Sequence, residues 1–410
     1  MVLVGPRAVL VSWLELPEGT GFGLDNLPFG VFSRTPDGER RVGVAVGDSV
    51  LDVSRVDVPH AEDLATGSLN AFLARGRPHW DAVRTRLQQL LTADEHRGTV
   101  EPQLLPRDSV TLHLPVEVAD YVDFYSSQHH AENLGRMFRP DSAALTPNWK
   151  HLPIGYHGRA GTVAVSGTPV VRPAGQRKAP ADDAPTFGPS RRLDIEAEVG
   201  FVVGAGSALG TPVPLDGFAD HVFGVCLVND WSARDLQAWE YVPLGPFLGK
   251  SFLTSVSPWV VPLPALEAAR VAPPARDVPL LPYLDDAGTP PWGLDVTIEV
   301  RLNGTLVSSP PFGLMYWTAA QQLAHMTVNG ASLRTGDLFA SGTVSGPEAG
   351  QRGSFIELSW GGTEPLTLPD GSTRTFLEDG DVVTLTATAP GTAGGRISLG
   401  EVTGRVEPAR

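Results

Sequence analysis

Cysteine is almost missing from this 410-residue chain, in which Cys226 stands alone. A single cysteine excludes an intramolecular disulfide and a cysteine-rich metal site. Cys226 lies inside the apolar run Val222–Val228. We therefore expect it to be a small buried hydrophobe and not a nucleophile.

Positive charge is also scarce, because 31 Lys and Arg stand against 46 Asp and Glu, for a net charge of −15. The pairs Arg40–Arg41 and Arg191–Arg192 are isolated from each other. Binding to nucleic acid needs a clustered basic face. We therefore expect no nucleic-acid partner.

Long apolar runs are missing as well. The stretch Val9–Leu14 is too short to span a bilayer, and Glu15 interrupts it. No small-residue cleavage site follows this stretch, so we expect neither a signal peptide nor a membrane span. A cytoplasmic protein without a membrane partner is the expectation.

The composition that remains, 42% hydrophobic and 19% charged, is typical of a globular protein, and the length favours two or three domains. Residues 1–117 are predicted to form a small N-terminal domain. Its expected strands are Val42–Val46 and Ser49–Val53, and its expected helices lie near Ala61–Ala74 and His79–His96.

Residues 118–410 are predicted to form a second, strand-rich domain. Helices are expected only near Ser232–Tyr241 and Tyr316–Asn329, and hairpin turns at Asn303–Gly304 and Asp370–Gly371. Together with 37 Pro and 45 Gly, this pattern predicts a β-rich α+β fold. The predicted strands are Val163–Val165, Leu193–Val203, Val222–Val228, Val296–Leu302, Phe355–Trp360, Val382–Ala387 and Gly395–Val406, and the predicted surface loops are Arg172–Arg192 and Pro262–Trp292.

Three acids, Asp194, Glu196 and Glu198, alternate with apolar residues. On a strand they share one face, so Glu196 and Glu198 can converge on one cation. The segments around Asp123 and Asp230 are also dense in aromatic and polar residues. Carboxylates without cysteine suit Ca²⁺ or Mg²⁺ better than zinc. A solvated acidic face is the alternative, and Asp230 is equally a candidate for a helix N-cap.

Downstream of Asp230, Arg234, Gln237 and Tyr241 share one face of a predicted helix and can bind an anionic substrate. Lys250 follows a turn with three residues between its glycines, whereas a phosphate loop needs four. Nucleotide binding is therefore rejected, and Lys250 can instead project into a site as a point charge. The alternatives are a solvated helix face and a surface lysine.

Two adjacent histidines, His129 and His130, are candidates for proton transfer, and the local sequence does not select between them. Surface or structural roles are the more common alternative. The chain contains neither a G-x-S-x-G elbow nor an H-E-x-x-H pair. A serine hydrolase and a zinc protease are therefore disfavoured.

Several long segments, spread in order from about residue 20 to the C-terminus, carry a resemblance to a known family. They include Asp123-Phe-Tyr-Ser-Ser, Pro147-Asn-Trp-Lys-His-Leu-Pro-Ile-Gly-Tyr-His-Gly and Asn229-Asp-Trp-Ser-Ala-Arg-Asp. The chain resembles the fumarylacetoacetate hydrolase family in its full-length, two-domain form. The resemblance implies a small SH3-like N-terminal domain, a mixed β-roll catalytic domain and a homodimer.

The same resemblance implies hydrolysis of the carbon–carbon bond of 4-fumarylacetoacetate, in tyrosine and phenylalanine catabolism, with a divalent cation, Ca²⁺ or Mg²⁺, and no organic cofactor. It also assigns residues to roles. The implied metal ligands are Asp123, Glu196, Glu198 and Asp230; the base is His130, oriented by Glu357; the oxyanion donors are Arg234, Gln237 and Lys250; the substrate contacts are Tyr125, Arg139, Tyr156, Gln237, Tyr241 and Thr343; and a second cation site involves Thr254.

The chain departs from the family at two positions. Leu253 stands where glycine is common, which weighs against the second cation site beside Thr254. His129 stands where glutamine is expected. Two other functions are compatible with the sequence: a lyase or decarboxylase of another oxo-acid on the same scaffold, and a non-catalytic binding protein that retains the fold.

Overall fold

A computed structural model describes residues 12–410, so the first residues of the stretch Val9–Leu14 lie outside the described part. Its strands, in chain order, are β1 Phe29–Ser33, β2 Arg41–Val46, β3 Ser49–Asp52, β4 Leu104–Pro106, β5 Thr111–His113, β6 Tyr121–Phe124, β7 Gly155–His157, β8 Val163–Val165, β9 Val170–Val171, β10 Ala174–Arg177, β11 Thr186–Pro189, β12 Leu193–Asp194, β13 Ala197–Val203, β14 Val222–Asp230, β15 Ser232–Ala233, β16 Thr254–Val256, β17 Trp259–Pro262, β18 Arg270–Val271, β19 Gly293–Leu294, β20 Thr297–Leu302, β21 Thr305–Ser308, β22 Leu338–Ala340, β23 Leu366–Thr367, β24 Thr373–Arg374, β25 Val382–Pro390 and β26 Arg396–Glu407.

The helices are few and mostly short. They are α1 Asn70–Leu73, α2 Arg77–Thr92, α3 Arg97–Val100, α4 Gln128–Phe138, α5 Phe218–His221, α6 Arg234–Glu240, α7 Ala319–Thr327 and α8 Phe355–Leu358. Each helix within residues 12–410 is too short or too polar to cross a bilayer. The architecture is therefore a strand-rich mixture of α and β, as the composition predicts.

One large sheet forms the frame of the molecule. Its strands follow the order β4-β3-β2-β1-β17-β14-β13-β22-β6-β7, and three further strands branch from this path. A second sheet of five strands contains the long pair β25 and β26. Apolar residues of β13 and β14 pack with those of the second sheet in the main hydrophobic core.

The predicted boundary near residues 114–118 does not interrupt the sheet. Phe29 of β1 pairs with Val260 of β17, so the N-terminal strands continue into the sheet of the second part of the chain. One buried cluster contains Phe29 together with Cys226 and Val228 of β14. Cys226 is buried as expected, and burial raises the pKa of its thiol to about 12, which disfavours a nucleophilic thiolate.

The hairpin signals are confirmed. Asn303 and Gly304 both have positive φ, at 50° and 81°, and they join β20 to β21. This is the conformation that a two-residue turn between twisted strands requires. The turn around Gly371, whose φ is 84°, likewise joins the short strands β23 and β24.

Two predicted strands differ from the structure, and one helix was not predicted. The strand predicted at Phe355–Trp360 is the helix α8, followed by a 3₁₀ turn. The strand predicted at Leu193–Val203 is broken at residues 195–196, where the N–H of Glu196 donates to the Asn229 side chain instead of a ladder carbonyl. The 11-residue helix α4 is missing from the prediction, although Ser127 caps it by accepting the N–H of His130.

We predict that stability depends on the core between the two sheets. Leu385, on β25, is fully buried in this core, whereas Leu306, on the edge strand β21 of the same sheet, is 45% exposed. Leu385→Ala should lower the free energy of unfolding by ~2–5 kcal/mol, because it leaves a cavity. Leu306→Ala, the control, should change it by less than about 0.5 kcal/mol. Urea denaturation followed by tryptophan fluorescence measures both, and equal shifts would contradict this location of the core.

Candidate active site

The four acids predicted as metal ligands come together at one edge of the large sheet. Asp123 lies on β6, Glu198 on β13 and Asp230 at the end of β14, while Glu196 immediately precedes β13. Strand β13 runs antiparallel to β14 and β22, and β22 runs parallel to β6, so these positions share an edge. One oxygen of each acid lies within 4.8 Å of the others, and all four residues are buried. We call them the acidic cluster; a solvated acidic face is therefore excluded.

Two buried cations contact the acidic cluster. The Nζ atom of Lys250 lies 2.6 Å from Glu196 and 2.8 Å from Asp230, and Nη1 of Arg234 lies 2.8 Å from Glu196. Both cationic side chains are at least nine-tenths buried, so Lys250 is not a solvated surface lysine. Asp230 is not a helix cap either, because α6 begins at Arg234 and Ala233 occupies the N-cap position.

The two cations favour the ionised form of Glu196 more than that of any other acid in the cluster. Burial alone would raise the pKa of Glu196, but Lys250 and Arg234 outweigh burial and lower it. Burial raises the pKa of Glu198 and of Asp123, and the neighbouring carboxylates raise both further. Glu196 is therefore held as a carboxylate by the protein, whereas Glu198 and Asp123 lack a sufficient positive partner.

An independent observation also favours a divalent cation in the acidic cluster. Among the residues that the structure describes, Asp123 Oδ1 and Glu198 Oε1 are buried and have no hydrogen-bond partner. Buried polar atoms without a partner are rare in native proteins unless an ion or water satisfies them. Oxygen ligands from carboxylates are those that Ca²⁺ and Mg²⁺ prefer. The acidic cluster therefore can hold a metal ion.

A histidine–glutamate pair lies beside the acidic cluster. His130 Nδ1 is 2.7 Å from Glu357 Oε2, and both side chains are buried. Glu357 also accepts hydrogen bonds from Asn133, Ser345 and Ser354. Burial would raise the pKa of Glu357, but His130 and these donors outweigh burial and lower it. The structure thus distinguishes His130 from the half-buried His129.

Asp194 contacts both Arg234 and the start of helix α8. It was not among the predicted site residues. Its Oδ1 accepts the N–H groups of Ile195 and Phe355, and its Oδ2 accepts the Ile356 N–H and the Nε–H of Arg234, at 2.6–3.0 Å. Two of these donors, Phe355 and Ile356, are the first residues of α8, which carries Glu357. The acceptor sites of Asp194 are saturated, so it organises the site rather than binding an ion.

Three of the predicted substrate contacts surround the site. The Tyr125 ring packs edge-on against the His130 ring, with centroids 5.4 Å apart. Tyr156 lies opposite Asp123 in the β6–β7 pair. Within residues 12–410, the buried hydroxyl of Thr343 has no hydrogen-bond partner, so it can contact a bound molecule. The Tyr156 hydroxyl interacts with the Asp123 carboxylate.

The remaining predicted residues lie at different depths. Gln237 is half-buried and accepts a hydrogen bond from Arg234 at 3.2 Å. The Thr254 hydroxyl donates to Asp230 at 2.7 Å, next to the buried Leu253. Arg139 and Tyr241 are exposed, and the structure does not bring them into the buried group.

A cavity of about 150 Å³ lies against the acidic cluster. Its lining includes Tyr156, Asp230, Phe247, Lys250 and Thr254. A larger cavity of about 580 Å³ lies elsewhere, between α2 and the start of β14, and none of the predicted site residues line it. The smaller cavity is therefore the one that adjoins the predicted site, which it reaches at Asp230 and Lys250.

Comparisons with known proteins agree with this site. The family profile "Fumarylacetoacetate (FAA) hydrolase C-terminal" matches residues 120–407, and "Fumarylacetoacetase N-terminal" matches residues 25–115. The fumarylacetoacetases of Homo sapiens and Caenorhabditis elegans are 46% and 47% identical to this chain, over 97% of the chain and 99% of each relative. The fumarylacetoacetase of Arabidopsis thaliana is 43% identical over 98% of the chain and 99% of that relative.

A solved structure shows the same fold at low identity. The fumarylacetoacetate hydrolase from Exiguobacterium antarcticum matches with a TM-score of 0.55 and 19% identity, over 94% of this chain and 100% of that one. Fold and site together define a strand-rich, two-domain α/β protein with a buried carboxylate site for a cation and an adjoining histidine–glutamate pair. The chain belongs to the fumarylacetoacetase family.

We predict that Glu198→Ala weakens the binding of divalent cations by about tenfold or more, because it removes a ligand charge from the acidic cluster. Glu401→Ala, on the exposed side of β26, is the matched control and should bind as the parent protein does. Isothermal titration calorimetry with Ca²⁺ and with Mg²⁺ measures both variants. Unchanged affinity in Glu198→Ala would remove this residue from the cation site.

Cation binding should also release protons. The pKa values of Asp123, Glu198 and Asp230 are raised, chiefly by burial, so part of this group is protonated in the metal-free protein. An ion binds the deprotonated forms, so its affinity should rise as the pH rises. Calorimetry in two buffers with different ionisation enthalpies should give different heats. Equal heats, together with an affinity that does not change with pH, would contradict the raised pKa values.

Proposed function

We propose that this protein hydrolyses the carbon–carbon bond of 4-fumarylacetoacetate to fumarate and acetoacetate. The observation that carries the proposal is the buried His130–Glu357 pair beside the acidic cluster, in a chain whose family relatives are named fumarylacetoacetases. A histidine that can take a proton and a site that can hold a cation are the two parts that such a hydrolysis requires.

His130 is the proposed general base. Its Nδ1 faces Glu357, so Nδ1 carries a hydrogen that it donates to the carboxylate, and Nε2 is the nitrogen left to accept a proton from water. Glu357 stays ionised, because its pKa is lowered, and it stabilises the imidazolium that forms. The resulting hydroxide adds to a ketone carbon of the substrate.

Arg234, Gln237 and Lys250 are the proposed donors to the tetrahedral oxyanion. Burial would lower the pKa values of Arg234 and Lys250, but the neighbouring carboxylates outweigh burial and raise both, so each remains a cation. In the described part of the chain, Nη2 of Arg234 is buried and has no hydrogen-bond partner. It is therefore an available donor, and loss of one such donor typically lowers turnover ~10²–10³-fold.

The tetrahedral oxyanion collapses to the new carboxyl group of fumarate, and cleavage of the carbon–carbon bond leaves the electron pair on the acetoacetate fragment. The carbon of that fragment then takes up the proton that His130 removed from water. A divalent ion held by Asp123, Glu196, Glu198 and Asp230 supplies Lewis-acid stabilisation of the enolate oxygens when it is bound. Tyr125 and Tyr156 orient the substrate from two sides of the site, and Thr343 contributes a hydroxyl. Arg139 and Tyr241, which are exposed, bind the substrate carboxylate at the rim.

Finer proposals follow from family membership. The ion is Ca²⁺ or Mg²⁺, the chain assembles as a homodimer, and it acts in the cytoplasm on a small dicarbonyl acid. The N-terminal part, residues 1–117, is SH3-like, and residues 118–410 form a β-roll. The mass of the particle in solution, by light scattering, tests the dimer.

The two adjacent histidines provide the test of the proposed function. His130→Ala should lower turnover of fumarylacetoacetate by ~10²–10⁴-fold, because it removes the base. His129→Ala, the neighbouring substitution, should stay close to the parent protein. Loss of absorbance from the substrate, with identification of fumarate and acetoacetate as products, measures both. An inactive parent protein, or equal turnover in both variants, overturns the proposal, and decarboxylation of oxaloacetate without cleavage of fumarylacetoacetate would instead assign a decarboxylase.

A further inference from the structure

The loop between α6 and β16 carries Lys250 but has few apolar contacts to hold it. Val242, Leu244, Phe247 and Leu248 are all more than half exposed, and Leu244 is 95% exposed. Burial of apolar area is the main stabilising contribution for most segments, so it contributes little to this loop. Hydrogen bonds must therefore account for more of its order.

Glu240, the last residue of α6, supplies two of these hydrogen bonds. Its Oε1 accepts the N–H of Phe247 at 2.8 Å and the N–H of Gly249 at 2.7 Å. Hydrogen bonds to an ionised acceptor are roughly twice as strong as neutral ones. The carbonyl of Gly249 in turn accepts the N–H of Ala233. Both ends of α6 therefore hold the residue that precedes Lys250.

The position of Lys250 depends on this anchor. Its Nζ reaches Glu196 and Asp230 from the residue directly after Gly249. Phe247, the other residue that Glu240 holds, lines the same cavity as Lys250. We infer that Glu240 is a positioning residue, whose carboxylate holds the loop so that the Lys250 ammonium lies at the acidic cluster. Its effect on turnover rests on the proposed function of Lys250.

Two substitutions of Glu240 separate positioning from charge. Glu240→Ala removes both acceptors, whereas the amide oxygen of Glu240→Gln can still accept two N–H groups. We expect kcat for fumarylacetoacetate to fall ~10-fold or more in Glu240→Ala, with KM little changed, because Lys250 acts on the oxyanion and not on the bound ground state. Glu240→Gln should restore most of kcat. Asp182→Ala, which removes a carboxylate that accepts a loop N–H in the β10–β11 hairpin, is the control and should leave kcat unchanged.

Hydrogen exchange on the same variants tests the anchor without any substrate. The segment of residues 241–252 should exchange faster in Glu240→Ala and at the parent rate in Glu240→Gln. Unchanged exchange in Glu240→Ala overturns the inference, as does a glutamine variant as impaired as the alanine variant or a change confined to KM. A parent protein that does not cleave fumarylacetoacetate would refute the proposed function, and the exchange rates would still decide whether Glu240 holds the loop.

Discussion

The uncompensated negative charge inside the protein is the constraint on which the rest of the site depends. The carboxylates that meet at this edge of the sheet outnumber the cationic side chains that contact them, five to two. The acids are Asp123, Asp194, Glu196, Glu198 and Asp230, and the cations are Arg234 and Lys250. Burying an ionised group without a partner is so unfavourable that such groups usually take up a proton instead. A divalent ion reduces the excess from three negative charges to one. The site therefore favours a cation, even though Arg234 and Lys250 already neutralise part of the negative charge.

Glu196 and Glu198 are only two residues apart, yet their carboxylates have different partners. Both oxygens of Glu196 are engaged, one by Arg234 and one by Lys250. Glu198 receives a hydrogen bond from the N–H of Gly342 on one oxygen, and the other has no partner among residues 12–410. Gly342 has a φ of 78°, and a Cβ there would lie 2.1 Å from the Phe124 carbonyl, so only glycine fits at this donor. An ion and the two cations therefore compete for Glu196, whereas Glu198 is open to the ion alone.

Asp194 fixes the arrangement of the side chains in the site more than any predicted site residue does. It holds Arg234 on one side and the first two N–H groups of α8 on the other. The first N–H groups of a helix have no partner inside the helix, and Ser354, at the N-cap, uses its hydroxyl for Glu357 instead. The Asp194 carboxylate thus fixes the position of the His130–Glu357 pair relative to Arg234, one of the proposed oxyanion donors.

The sequence predicts what depends on local pattern. The hairpin at Asn303–Gly304 is recognisable because its two residues tolerate positive φ, and the alternating acids are recognisable because strands alternate faces. The helix α8 is not recognisable, since its apolar residues resemble a buried strand and its first turn is stabilised by Asp194, more than 150 residues away. The helix α4 had a usable signal in the N-cap Ser127, with His130 and Asn133 on one face.

The roles of single residues were less predictable than their grouping. Local sequence left Asp230 equally a cap or a ligand, and only the burial of its neighbours and the start of α6 at Arg234 decide between them. The exposure of Tyr241 could not be predicted either, because helix periodicity places it on the face of Arg234 and Gln237 while α6 ends one residue earlier. Helix α6 has its C-cap at Tyr241, two residues before Pro243, and proline cannot continue a helix.

The N-terminal part of the chain contributes to the site without supplying any of the site residues described above. Strand β14, which ends in Asp230, is buried on both faces. Val225 and Leu227 face the main core, whereas Cys226 and Val228 face a cluster built largely from residues before 117. A strand buried on both faces has a continuous apolar sequence instead of an alternating one, as the run Val222–Val228 does. Without the N-terminal part, one face of this strand would meet water, so the edge at which the acids converge depends on both parts of the chain.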